Sequence, residues 1–259
     1  IELNDVTLNT QVDGPEGAPW IVLSNSLGAS LEMWDPQIAT LTKAFRVLRY
    51  DTRGHGNSSV PPGPYTFEQL KADVIGLMDA HGIEKAAFMG LSLGGMTGLG
   101  LGLAHPDRFD RIICADARAD APDGFRAMWN DRIARVQAGG AEAIADMTLD
   151  IWFTADWRDA NPTELAAIRE MVVATPADGY VGCCEALKTL DYLRHLGGMT
   201  VPTFCVGGDV DKGAAPEVMQ AMADATPGGK FVAIPGAAHV ANINAPEAFD
   251  AAIGSFLGR

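Results

Sequence analysis

A chain of 259 residues with 47% hydrophobic and 20% charged side chains suits one large domain, or one carrying a smaller insertion, around a well-filled core. Its formal net charge of −14 argues against nucleic-acid and anionic-membrane partners, because both need a clustered positive surface. No apolar run reaches the roughly 18–20 residues that cross a bilayer. No charged segment leads into an apolar one as in a signal peptide, so a cytoplasmic location is the default expectation. The first residue is Ile rather than Met, and a few residues are expected to precede it.

Residues 2–12 alternate polar and apolar (Val6, Leu8, Val12), as in an antiparallel edge strand with one wet face. Short continuous apolar runs follow at Trp20–Leu23, Phe45–Leu48, Ala86–Met89, Arg111–Cys114, Thr203–Val206 and Phe231–Ile234. Runs of this kind suit strands buried on both faces, and the helical patterns between most of them predict a parallel βαβ sheet. Asp35 before Pro36 reads as a helix N-cap with proline at the first helical position. Thr66 with Gln69 forms a capping box, with Tyr65 placed to staple against Leu70. The helix they open carries Phe67, Leu70, Val74, Leu77 and Met78 on one stripe and stops at Gly82. Asn161, Pro162 and Glu164 open another helix, with Leu165, Ile168, Met171 and Val172. From about 118 to 198 the pattern is helix after helix, and strands resume at Val201. The expected division is therefore a core of residues 1–117 and 199–259 with a helical cap, 118–198, roofing the carboxyl ends of the strands. Cys114, Cys183, Cys184 and Cys205 lack metal-ligand spacing, and adjacent cysteines rarely bridge, so buried free thiols are expected.

Gly90-Leu91-Ser92-Leu93-Gly94 matches G-x-S-x-G, between a strand and a small-residue helix (Gly95, Gly98, Gly100, Gly102). Such a turn projects the Ser92 hydroxyl from the strand end, whereas a bland serine there would only cap the helix. A serine hydroxyl needs a base to take its proton and an acid to hold that base in one tautomer. Of five histidines, His195 and His239 alone follow Ser92 beyond its helix, and His195 falls in the helical stretch. His239, in a loop just after a strand, is the expected base. Two acids follow Thr203–Val206, Asp209 and Asp211; Asp211 lies deeper in its loop and is preferred, with Asp209 able to hold the turn instead. An oxyanion hole is expected from the backbone N–H groups of Leu93 and, in the loop after Trp20–Leu23, of Leu27.

Together these residues resemble the α/β-hydrolase superfamily over the whole chain, and more narrowly the 3-oxoadipate enol-lactonases and related esterases. Ser24-Asn25-Ser26-Leu27-Gly28 resembles their oxyanion loop, and Arg49-Tyr50-Asp51-Thr52-Arg53-Gly54-His55-Gly56, followed by Gly63-Pro64-Tyr65-Thr66, their next loop. In the cap, Trp129-Asn130 with Arg132-Ile133, Trp152-Phe153-Thr154, and Gly179-Tyr180 with Cys183-Cys184 resemble family segments. The resemblance implies an α/β-hydrolase fold: a mostly parallel central sheet flanked by helices, with an inserted helical cap. It implies Asp211 as the acid. It also implies hydrolysis of a small carboxylate-bearing lactone in aromatic catabolism, with no metal or organic cofactor. In the cap helix near 124–138, Phe125, Met128, Trp129, Ile133 and Val136 share an apolar side, and Arg132 lies along it. Arg132 either receives a substrate carboxylate or packs its stem and sends its head to solvent or a cap acid. Trp129 and Trp152 are the other expected pocket residues. Ala115-Asp116-Ala117-Arg118-Ala119-Asp120 departs from the family, which carries Asn-Thr here, and two acids at this junction are expected to disfavour an anionic ligand. A serine esterase or lactonase leads, with a small-molecule ester or lactone as partner. A cofactor-free perhydrolase of the haloperoxidase type and a non-catalytic ligand-binding protein remain alternatives. A dehalogenase or epoxide hydrolase needs Asp where this chain has Ser92.

Overall fold

The computed structural model describes residues 1–258. Among them, seven strands make up the sheet: β1 (Thr10–Asp13), β2 (Trp20–Ser24), β3 (Arg46–Tyr50), β4 (Ala86–Leu91), β5 (Phe109–Ala115), β6 (Thr203–Gly208) and β7 (Lys230–Ile234). Their spatial order is β1-β3-β2-β4-β5-β6-β7. Every neighbouring pair is parallel except β1 with β3. The helices of the described residues are α1 (Asp35–Leu41), α2 (Phe67–Ala80), α3 (Leu93–Ala104), α4 (Asp123–Gly139), α5 (Glu142–Trp152), α6 (Ala155–Ala160), α7 (Pro162–Val173), α8 (Ala177–Leu187), α9 (Pro216–Ala225), α10 (Ala241–Asn244) and α11 (Pro246–Leu257). This is an α/β-hydrolase fold, with a mostly parallel sheet flanked by helices.

The apolar runs became strands for the reason expected: β4 and β6 are buried along their whole length, so both faces need cover. Helix α3 packs on β4 and β5, and α9 on β6 and β7. At the edge the expectation fails, because β7 has no neighbour beyond it and leaves Val232 exposed. The first strand is also shorter than residues 2–12. Val6 and Leu8 are buried as the alternation requires, but only Thr10–Asp13 pairs with β3, and the segment before it closes on itself through a Glu2–Thr7 bridge.

Local signals placed the helix ends with one exception. Thr66 and Gln69 make the reciprocal capping box at α2, and Gly82, at φ 65°, follows its end. At α1, however, Trp34 is the N-cap, and Asp35 and Pro36 are the first helical residues. A 3-10 turn, Leu31–Trp34, runs directly into this helix, which shifts the start back by one residue. All four cysteines are free and buried.

Between β5 and β6 the described residues form α4 to α8 and a 3-10 turn, Leu193–Gly198. The two ends of that stretch are stitched together: the N–H groups of Tyr192 and Leu193 both donate to the Ala119 carbonyl, at 2.7 and 2.9 Å. Its apolar side chains, Trp129, Val136, Ile144 and Leu149 among them, join the sheet in one continuous core. Register then sets the site. Leu91 pairs with Ala115, Ala115 with Val206, and Gly208 with Ile234, so β4 and β5 end together, β6 and β7 run two residues further, and the loops that follow leave from the same edge of the sheet. No helix of the described residues is long and apolar enough to cross a membrane.

Candidate active site

Ser92 follows β4 at φ 54° and ψ −113°, a backbone conformation that non-glycine residues rarely adopt. The flanking glycines explain how the turn is tolerated. A Cβ on Gly90 would lie 2.2 Å from the backbone of Gly94, and one on Gly94 would lie 2.2 Å from the Ser24 carbonyl oxygen. Backbone bonds lock the corner: Ser92 donates to Ala115 O at 2.8 Å, and Gly94 donates to Asn25 O at 3.0 Å.

The three residues singled out for acyl transfer meet. His239 Nε2 lies 3.0 Å from Ser92 Oγ. On the far side of the ring, Nδ1 lies 3.0 and 2.9 Å from the two carboxylate oxygens of Asp211. The Gly213 amide donates to Asp211 Oδ1 at 2.6 Å, fixing the acid from behind. A neutral imidazole in this setting donates from Nδ1 to Asp211 and accepts the Ser92 hydroxyl at Nε2. Asp209 goes elsewhere: its carboxylate accepts the Gly236 amide at 2.7 Å in an exposed turn.

Ser92 and His239 line a cavity of about 250 Å³, together with Leu27, Trp129, Arg132 and Trp152 among others. Leu27 belongs to a loop that Asn25 braces, its Nδ2 donating to Tyr50 O at 2.8 Å and its Oδ1 accepting Trp34 Nε1 at 3.0 Å. Leu93 opens α3, where first-turn amides have no partner within the helix. Helix α4 contributes Phe125, Met128, Trp129 and Arg132 to the wall, α5 adds Thr148, Ile151 and Trp152, and α8 adds Tyr180. On α4 the expected apolar side splits: Trp129, Ile133 and Val136 are buried, while Met128 is exposed and lines the cavity.

Arg132 is buried and its guanidinium sits over the Trp129 ring, 5.2 Å from the centroid. Its Nη1 donates to Tyr180 Oη at 3.3 Å, and burial pushes that phenol up to about 12. Arg132 Nε and Trp129 Nε1 are buried donors without a hydrogen-bond partner. Neither of the alternative fates of an arginine head, solvent or a cap carboxylate, is realised. The two acids expected to repel an anion are both restrained. Arg118 binds Asp120 at 2.9 Å, and burial, then the neighbouring Asp211 charge, pushes the Asp116 carboxyl well above the usual carboxylate range.

The sequence pattern did not mark Tyr180 as the partner of Arg132, nor Asn25 as the brace of its loop. Their partners lie far away or are backbone atoms, which leave no spacing to read.

The geometry and topology have a family. The model of the alpha/beta hydrolase fold matches residues 19–149, and the chain belongs to that family. Within it, 3-oxoadipate enol-lactonase 1 of Acinetobacter baylyi is 38% identical over 94% of this chain and 90% of its own length. A second enol-lactonase of that organism is 34% identical over 98% of this chain and 94% of its own. Among solved structures, the enol-lactonase from Burkholderia xenovorans LB400 superposes with a TM-score of 0.95 at 43% identity, covering 99% of this chain and 98% of that one.

Proposed function

We propose that this protein, a hydrolase acting on esters or lactones, works through an acyl-enzyme on Ser92 and that its substrate is a small lactone bearing a carboxylate, of the 3-oxoadipate enol-lactone kind. The observation that carries the proposal is the Ser92–His239–Asp211 relay of contacts of 3.0 Å or less, set beside a buried, acid-free Arg132 in one cavity. In acylation, His239 Nε2 takes the Ser92 proton as Oγ attacks the lactone carbonyl carbon, and Asp211 stabilises the resulting imidazolium. The amides of Leu27 and Leu93 receive the developing oxyanion. The ring C–O bond then breaks, and His239 returns its proton to the departing oxygen. That oxygen remains tethered to the acyl chain, so the pocket must hold the whole opened product until water, deprotonated by His239, attacks the ester and frees Ser92.

Arg132, with its Nε–H still unpaired, would anchor the substrate carboxylate, and Trp129 Nε1–H offers a neutral donor beside it. A desolvated guanidinium over an aromatic face binds such a group more strongly than the same pair in water. Helices α4 to α8, residues 118–198 in the expected division, would serve as the cap that excludes water and sets pocket size. The small cavity favours a compact substrate over a long acyl chain. This reading places the protein in aromatic catabolism.

The test compares kcat/KM for 3-oxoadipate enol-lactone with that for p-nitrophenyl acetate, using Ser92→Ala as the blank. A lactone value in the roughly 10⁴–10⁸ M⁻¹s⁻¹ range and far above the acetate supports the substrate. Comparable low values, both abolished in Ser92→Ala, would retain the serine mechanism and remove the lactone. Activity surviving in Ser92→Ala would remove the mechanism.

A further inference from the structure

Among the described residues, two non-glycine residues have positive φ: Ser92 at 54° and Asp116 at 43°. They are neighbours in space, because their predecessors Leu91 and Ala115 pair across β4 and β5. Strain of this kind persists only where the surroundings over-determine it. For Ser92 the elbow is the reason. For Asp116 the reason lies in what its carboxyl group reaches.

Asp116 is fully buried. Its Oδ1 accepts the amide of Gly208 at 2.8 Å, at the end of β6 and three residues before Asp211. Its Oδ2 accepts the amide of Ala241 at 3.2 Å, two residues beyond His239. Its own N–H donates to Val206 O at 2.9 Å. One residue therefore joins the strand next to the elbow, the root of the acid loop and the far side of the base loop. The fit is close, since a Cβ on Gly207 would come within 2.9 Å of Asp116 Oδ1. The charged and titratable groups acting on it are Asp211, from the loop after β6, and Cys114, on its own strand. Burial and the neighbouring Asp211 push the Asp116 carboxyl well above the usual carboxylate range, while the Gly208 and Ala241 amides act against that rise by donating to it.

We propose that Asp116 is a positioning residue, whose single carboxyl group ties the Asp211 loop and the His239 loop to the strand beside Ser92 and thereby sets the acid–base–nucleophile spacing. The proposal rests on the Ser92–His239–Asp211 reading above. It assigns a task to a residue that contacts none of those three side chains by hydrogen bond.

The experiment measures p-nitrophenyl acetate hydrolysis by wild type, Asp116→Ala and Asp116→Asn, with active sites titrated by a fluorophosphonate probe. Acetate has no group to reach Arg132, so changes in anion recognition do not enter. Asp116→Ala releases both amides and is expected to lower kcat per titrated site about 100-fold, as misplacement of a catalytic group by an ångström does. Asp116→Asn keeps the shape and one acceptor but turns an NH₂ toward the other amide. It is expected to lower kcat about 5–10-fold, the equivalent of one net hydrogen bond. In both variants KM should stay within about threefold of wild type, because the alteration acts on geometry at the reacting atoms rather than on ground-state binding. An unaltered kcat per titrated site in Asp116→Asn overturns the proposal, since that variant is near-isosteric and isolates the second bridge. Asp116 also lines the cavity, so a rise in KM at constant kcat, which would confine its part to the cavity wall, overturns the proposal as well. A loss confined to the titratable fraction or the melting temperature would make it scaffold only, and also overturns the proposal. Wild-type protein that fails to label, or Ser92→Ala that stays active, overturns the underlying serine reading first and is recognised without any Asp116 variant.

Discussion

Asp209 and Asp211 stand two residues apart on one loop and finish in opposite surroundings. Asp211 is buried against His239 Nδ1, while Asp209 is exposed and holds the Gly236 amide. Replacing Asp211 by Asn would present an NH₂ or a neutral acceptor to the imidazole and remove the charge that stabilises its protonated form. Asp211→Asn should therefore lose roughly 10³–10⁴-fold in kcat near neutral pH. Asp209→Asn keeps an oxygen for the Gly236 amide and should stay within about twofold of wild type, as exposed substitutions do. Steady-state kinetics on both variants with one uncharged ester decides the matter, and equal losses would remove Asp211 from its role. At this scale the meeting of Ser92 with His239 was legible in the sequence, because a motif of fixed spacing and a shortage of histidines single the two out. The choice of acid rested partly on resemblance. The bridging contacts of Asp116 were not legible, because its partners are backbone amides 92 and 125 residues away, and amides carry no sequence signature.

Helix starts show which local signals survive folding. The Thr66–Gln69 box at α2 is made wholly from residues three apart, so it was readable and is present. The start of α1 was misread by one residue because a tertiary demand overrides the local rule. Trp34 is fully buried and donates its indole N–H to Asn25, so the chain coils before Asp35 rather than at it. The alternation of residues 2–12 likewise reported which side chains are buried and not which backbone is paired. Two substitutions at helix starts separate remote from site-coupled elements. Thr66→Ala removes an exposed cap far from the cavity and should cost about 1 kcal/mol of stability with kcat unchanged. Gly94→Ala, in the first turn of α3, would drive its Cβ to within 2.2 Å of the Ser24 carbonyl oxygen. The elbow must shift to relieve that contact, so stability should fall by about 1–3 kcal/mol and kcat should fall with it. Denaturant unfolding beside kcat per titrated site checks both; an active Gly94→Ala at full kcat would show that α3 does not hold Ser92.

The whole molecule carries 33 acidic against 19 basic side chains, while the cavity has a buried arginine without an acidic partner. An anionic lactone would thus approach through a repulsive outer field to reach a locally attractive site. Salt distinguishes the two. The Debye length shortens from about 30 Å at 0.01 M to about 8 Å at physiological ionic strength, so added salt hides distant surface charge and leaves a contact a few ångströms long largely intact. For the lactone, kcat/KM should rise about 2–3-fold over that range as the long-range repulsion is removed. For p-nitrophenyl acetate, which carries no charge, it should stay flat. Arg132→Met should raise the lactone KM while leaving the salt-induced rise in place, because the rise belongs to the surface and the affinity to the pocket. A kcat/KM that falls with salt for the lactone would mean that the field at the mouth is attractive, with Arg118 and Lys212, both on the cavity lining, outweighing the net charge. A parallel response of lactone and acetate would instead trace the effect to the enzyme's own stability and remove electrostatic guidance from the account.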